Sequence, residues 1–173
     1  MSIKALKAAI RDIPDFPKPG IVFKDITPVL KDPVLFHKAV GVFARRHRKH
    51  GIRKVAVIDA RGFLFGSALA YTLKAGIVPI RKKGKLPYRT YEETYDLEYG
   101  SATLSVHVDA FEPGEPVLLV DDLLATGGTA LASATLIERA GGTVAEIDFL
   151  IELAFLKGRE KLARYPIYAP IRF

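Results

Sequence analysis

The chain has no cysteine, no tryptophan and a single methionine in 173 residues. Without cysteine there are no disulfides, thiolate metal sites or cysteine nucleophiles, which fits a reducing compartment. No window approaches 18 uncharged apolar residues, so no membrane-spanning helix is expected. The opening M-S-I-K-A-L-K-A-A-I-R-D reads as a short charged amphipathic helix, lacking the continuous apolar stretch of a signal peptide. A cytoplasmic protein with no membrane partner is the expectation. Neither G-x-x-x-x-G-K-[ST] nor G-x-G-x-x-G occurs, which excludes the two commonest phosphate loops. What remains is an ordinary globular composition, 49% hydrophobic and 26% charged, with a length that predicts one domain over residues 1–173.

The formal charge of +7 raises the question of nucleic acid. Most of the excess lies in R-R-H-R-K-H-G-I-R-K, residues 45–54, six Lys or Arg with no acid. These close a helix begun at Asp32-Pro33, where the dipole favours cations and Gly51 supplies a stop. A solvated helix end is the simpler reading, and no nucleic-acid partner is expected. His47 and His50, three apart with no third ligand in sequence, make a poor metal site.

One stretch carries chemistry. In V-L-L-V-D-D-L-L-A-T-G-G-T, residues 117–129, an apolar strand ends in two adjacent carboxylates, followed by a small-residue loop and a good helix former. Free N–H groups at a helix start, with glycines that allow close approach, suit a phosphate. Asp121 and Asp122 would repel a polyphosphate but accept hydrogen bonds from sugar hydroxyls. One anion beside one diol describes a ribose 5-phosphate. The plainer alternative is a tight strand-to-helix turn capped by Thr126 or Thr129, with solvated aspartates.

Around this stretch, R-D-I-P-D-F-P-K-P-G-I-V-F-K-D-I-T-P-V-L is an irregular arm whose four prolines oppose regular helix or central strand. Its Val22, Phe23 and Lys24 either pack on the core or line a pocket. Short strands apolar on both faces, V-A-V-I-D-A and I-V-P-I, alternate with helices and predict a parallel sheet covered on both sides. Ligands of such sheets bind at the strands' carboxyl ends. Three turns fall there: D-A-R-G at 59–62, R-K-K-G-K at 81–85, and the acidic pair with its loop. Arg61, Arg81, Lys82, Lys83 and Lys85 exceed what a monophosphate needs, and pyrophosphate fits them. Taken one at a time, these turns could equally be capping or solvated strand ends. Residues 81–100, rich in both charge signs and carrying four tyrosines, read as a lid or binding loop. S-A-T-L-S-V-H-V would pair back on it as a hairpin, with His107 facing solvent.

Residues 117–129 resemble the phosphoribosyl diphosphate motif of the type I phosphoribosyltransferases. F-P-K-P-G-I-V-F-K-D-I-T-P-V-L, D-A-R-G-F-L-F-G, I-R-K-K-G-K-L-P, L-E-Y-G and L-K-G-R-E-K-L resemble the adenine phosphoribosyltransferase family, in order, from about Ile13 to Leu162. The resemblance implies an α/β type I phosphoribosyltransferase fold: a central, mostly parallel sheet flanked by helices. A small hood is formed by the arm, about 11–31, and a flexible lid hairpin, about 82–106. It implies Mg-dependent transfer of phosphoribosyl from phosphoribosyl diphosphate to adenine, giving AMP and diphosphate, in a homodimer. Mg2+ would arrive chelated by the substrate, with no metal held by the protein alone. Ala125, Thr126, Gly127, Gly128 and Thr129 would surround the 5-phosphate, and Asp121 and Asp122 the ribose. Asp59, Ala60, Arg61, Gly62, Arg81, Lys82 and Lys85 would face the diphosphate. Val22, Phe23, Lys24 and Leu153 would hold adenine, Glu98 would handle protons on its ring, and Tyr99 would join the closing lid. At the arm, members usually read F-R-D where this chain has Lys24, which leaves another purine open as substrate. The other alternative, a regulator sensing phosphoribosyl diphosphate, would need a DNA-reading unit that the dozen residues before the arm do not supply.

Overall fold

The structure, a computed structural model, describes residues 3–96 and 100–173. After α1 (Ile3–Ala9), β1 (Arg11–Pro14) and β2 (Val22–Asp25) pair as an antiparallel ribbon in the arm, followed by α2 (Thr27–Lys31). The arm is thus more regular than its prolines suggest, because Pro28 sits in the first turn of α2, where no N–H is required. Asp32 then caps α3 (Pro33–His47), accepting from the N–H groups of Val34 and Leu35 at 2.9 Å.

There follow β3 (Lys54–Ile58), α4 (Gly62–Leu73), β4 (Gly76–Lys82), the strands β5 (Thr90–Asp96) and β6 (Ser101–His107), then β7 (Pro116–Leu124), α5 (Gly128–Arg139) and β8 (Thr143–Glu152). A 3-10 turn (Ala154–Leu156), α6 (Gly158–Lys161), β9 (Ile167–Tyr168) and β10 (Ile171–Arg172) follow. The eight-stranded sheet runs β10-β8-β7-β3-β4-β6-β5, with β9 also on β8. The strands from β10 to β4 are parallel, and β6 and β5 add an antiparallel hairpin. This is the mostly parallel α/β sheet that the apolar strands predict. Helices α1, α3 and α4 cover one face through Leu6, Phe43, Phe65 and Leu69, and α5 covers the other through Leu136 and Ile137. No helix among the described residues is long and apolar enough to cross a membrane.

Two histidines depart from expectation. His47 is buried rather than solvated: its Nε2 lies 2.7 Å from Asp148 Oδ2 and 3.6 Å from Glu146 Oε2, and Glu146 is gripped by Arg46. The carboxylates come from β8, 100 residues away, so no local pattern announces them. His107 is half-buried, because the register Thr90↔His107 brings Tyr88 edge-on to its ring at 6.1 Å.

Burial pushes Asp148 up from its ordinary 3.8 to about 6, with the bond to His47 opposing. Between those values the native state holds a proton that the unfolded chain has released, so this carboxyl's contribution to stability falls as pH rises through the window. Relative to wild type, Asp148→Asn should therefore gain up to about 3 kcal/mol between pH 4 and pH 7. Urea midpoints at both pH values check this. A difference between the two proteins that does not change with pH rules it out.

Candidate active site

Strands β3 and β7 are neighbours, but β3 leads through α4 to β4 on one side while β7 leads through α5 to β8 on the other. The two helices therefore cover opposite faces, and a crevice opens where the chain parts, beyond the carboxyl ends of the strands. All three predicted turns reach this edge.

The acidic pair does not follow β7 as expected. The strand runs on to Leu124, with Asp121 opposite Phe149 and Leu124 opposite Glu152, because Leu124 is itself buried and keeps the ladder intact. The aspartates are consequently held on rigid strand, and Asp122 is only 3% exposed. Arg61 Nε lies 2.8 Å from Asp122 Oδ2, and Asp121 Oδ1 accepts from the Asp122 N–H at 2.8 Å. Burial, then the neighbouring carboxyl, hold Asp121 well above the usual carboxylate range; burial raises Asp122 too, against the pull of Arg61. Gly62 lets α4 start hard against this strand: a Cβ there would lie 2.8 Å from Val120 O and 3.1 Å from Asp121 Oδ1.

Ala125, Thr126 and Gly127 form the loop, and Gly128 and Thr129 open α5. Gly127 is the N-cap at φ 82°, no side chain caps the helix, and its first turn carries no acid. The capping alternative for Thr126 and Thr129 thus fails: Thr129 Oγ1 donates instead to Tyr95 OH at 3.0 Å. The uncapped N–H groups face a cavity of about 210 Å³ lined by residues 121–130 with Arg61 and Phe149. Free N–H groups at a helix start favour an anion, and the carboxylates in the wall offer acceptors for hydroxyl groups.

A second cavity, about 390 Å³, adjoins it and shares Arg61, Asp121, Asp122 and Thr129. Asp59, Ala60, Lys82 and Tyr95 also line it. The other cations do not line it. Arg81 donates to Asp59 Oδ2 at 2.9 Å and to Lys85 O at 3.2 Å, bracing the turn, while Lys83 pairs with Glu92 at 2.8 Å. The Lys85 residue is exposed.

The arm reaches this site through Phe23, whose ring lies 5.5 Å from the Arg61 guanidinium. Val22, Phe23 and Lys24 sit on β2, which among the described residues pairs with β1 alone. Lys24 points away, its ammonium 2.6 Å from Asp12 and over the ring of Phe173, so β2 can offer a base its backbone edge but not this head group. Leu153 approaches from the other flank, its N–H bonded to Leu124 O at 2.9 Å. Glu98 and Tyr99 lie outside the described residues.

Two contributors escaped sequence reasoning. Tyr95 needs the hairpin register to arrive over Thr129. Gly158 packs so closely under the loop that a Cβ would lie 2.2 Å from Ala125 O; the glycine of L-K-G-R-E was the available signal.

A family model for the phosphoribosyl transferase domain matches residues 29–165. An adenine phosphoribosyltransferase of Methylacidiphilum infernorum is 53% identical over 99% of this chain and 96% of its own. The crystal structure of the adenine phosphoribosyltransferase from Thermoanaerobacter pseudethanolicus superposes with a TM-score of 0.96 at 52% identity, covering 99% of this chain and all of that one. The Saccharomyces cerevisiae adenine phosphoribosyltransferase, solved with an imino-altritol bisphosphate and adenine, gives a TM-score of 0.94 at 39% identity over 98% of both chains.

Proposed function

Because this chain belongs to the adenine phosphoribosyltransferase branch of the phosphoribosyl transferase family, we propose that it transfers 5-phosphoribosyl from phosphoribosyl diphosphate to adenine, releasing AMP and diphosphate. The observation that carries this reading is the pair of adjoining cavities with a carboxylate pair in their common wall. The uncapped start of α5 takes the 5-phosphate, Asp121 and Asp122 take the ribose hydroxyls, and Asp59 to Gly62 with Lys82 face the diphosphate. Arg81 and Lys85 act on that group by bracing Asp59 and the turn.

Breaking the bond from C1 to the diphosphate oxygen leaves positive charge on the ribose ring, and N9 of adenine bonds to C1 as its proton leaves. Aligning the two reactants on rigid strand ends removes much of the entropic barrier. Arg61 and Lys82 oppose the charge that collects on the departing group. Mg2+ carried by the diphosphate would supply further neutralisation of that charge. Asp59 and Asp122 are each already engaged by a guanidinium, and Asp121 Oδ1 accepts the Asp122 N–H, so the residues present fit an ion held mainly by phosphate and water. Adenine lies between the edge of β2 and Leu153, Glu98 exchanges the ring proton, and Tyr99 closes over it. We further assign the protein to the cytoplasm as a homodimer; a monomer in sedimentation at working concentration would exclude the dimer.

The test is a purine panel with phosphoribosyl diphosphate and Mg2+. Adenine should be turned over far faster than hypoxanthine, guanine or xanthine, because the Lys24 head group that distinguishes this arm is turned away from the base. In the same assay Glu98→Gln should lower kcat by about a hundredfold with little change in phosphoribosyl diphosphate affinity. Preference for another purine overturns the substrate, and an unaltered pH–rate profile in the variant overturns the proton role.

A further inference from the structure

Phe173 touches both sides of the place assigned to the base. Its N–H donates to Glu152 O and its carbonyl accepts from the Ala154 N–H, each at 2.9 Å. These two bonds flank Leu153 and fix that wall. Its ring then reaches the arm: the Lys24 ammonium stands 4.2 Å from the ring centroid and the Lys7 ammonium 4.5 Å. Lys24 is on β2, and Lys7, on α1, also donates to Arg172 O. Asp12 completes the bracket, since it lies opposite Lys24 in the ribbon and holds the ammonium at 2.6 Å.

A lysine on an exposed arm would ordinarily extend into water. Here the Lys24 side chain is only 11% exposed, so the stem and head are committed to Phe173 and Asp12. The β1–β2 ribbon is separate from the main sheet, and its place over the site depends on side-chain contacts of this kind. A ring approached by two ammonium groups supplies a contact that an aliphatic residue cannot reproduce.

We propose that Phe173 is a positioning residue for the purine: docked around Leu153 and bound by Lys24, it sets the spacing between β2 and Leu153, and hence the width of the slot that receives the base. This rests on the reading that those two walls hold adenine. It also gives Lys24 a purpose without base contact.

Steady-state kinetics of Phe173→Ala, Phe173→Leu and Phe173→Tyr test it. The Ala and Leu variants should raise KM for adenine about tenfold, the scale of a lost cation–ring contact, with kcat and KM for phosphoribosyl diphosphate nearly unchanged. Phe173→Tyr, which keeps the ring, should behave as wild type. Combining Phe173→Ala with Lys24→Met should add little to either single change, because both break one contact. An unchanged adenine KM in the Ala and Leu variants overturns the proposal, as does a rise shared by both substrates with a fall in the thermal midpoint. Should Phe173→Ala fail to fold, Leu against Tyr still decides. If wild type prefers another purine, the adenine reading fails by itself, and Phe173 is judged by the KM of that purine.

Discussion

Asp121→Asn combined with Asp122→Asn is expected to lower kcat/KM for phosphoribosyl diphosphate by about three orders of magnitude, with the protein still folded. In the proposed role each carboxylate offers a charge-assisted hydrogen bond to a ribose hydroxyl, worth roughly 1.5–3 kcal/mol, and about 4 kcal/mol between them corresponds to that factor. Folding should survive because asparagine keeps the shape and its oxygen can still accept the Asp122 N–H bond. Burial raises both carboxyls, so their ionised forms weigh against the fold, and neutral amides remove that cost. Arg61 loses its partner, but its side chain is 44% exposed and can turn to water. The thermal midpoint should hold or rise while activity collapses. The sign of the pH effect follows as well. Since the raised carboxyls take up protons above the ordinary aspartate range, wild-type affinity for phosphoribosyl diphosphate should begin to fail on acidification earlier than for an unperturbed carboxylate. AMP formation close to the wild-type rate in the double variant would remove the ribose assignment.

Legibility in the sequence followed the range of the interactions involved. The strand-to-helix loop was readable because Val117 to Thr129 contains its whole chemistry in contiguous residues: apolar run, acids, glycines and helix former. The parallel sheet was readable because β3, β4 and β7 are apolar on both faces, a local property of buried strands. What stayed hidden depends on register or on distant partners. Asp121 and Asp122 looked like loop residues, since only the pairing of Leu123 and Leu124 with β8 shows the strand continuing past them. R-K-K-G-K looked like one anion clamp. Its cations have separate tasks, with Lys82 on the cavity, Arg81 on Asp59 and Lys83 on Glu92, and the partners of Arg81 and Lys83 come from β5 and the turn after β3. His47 finds its acids on β8, and Tyr95 on β5 finds Thr129 at the start of α5. Lys24 stood out in sequence as a departure from the family, yet its contacts with Asp12 and Phe173 span the chain and had no local sign.

Gly158→Ala should cost about a hundredfold in kcat/KM for phosphoribosyl diphosphate, although Gly158 need not touch the substrate. Its added Cβ would lie 2.2 Å from Ala125 O and 2.9 Å from Leu124 Cδ1, while Gly127, just beyond, already has its own Cβ position 2.6 Å from Gly158 O. A backbone carbonyl cannot turn aside as a flexible side chain can, so either α6 or the phosphate loop must move. On the β7 side, the loop is anchored by the Leu124↔Glu152 pairing and by the Leu153 N–H on Leu124 O. The displacement therefore falls on Ala125 to Gly128, the segment whose N–H groups are proposed to hold the 5-phosphate. Shifting such a group by roughly an ångström is enough for a hundredfold loss. Gly114→Ala separates this from ordinary glycine strain. Gly114, unlike Gly158, has positive φ, 76°, so it carries the backbone strain without the close approach: nothing lies within 4 Å of its Cβ position, and it lines neither of the two cavities of the site. That variant should lose about 1 kcal/mol of stability and keep wild-type kinetics. If Gly158→Ala and Gly114→Ala lose similar stability and both keep full kcat/KM, the loop does not depend on this close approach, and the 5-phosphate assignment loses its steric support.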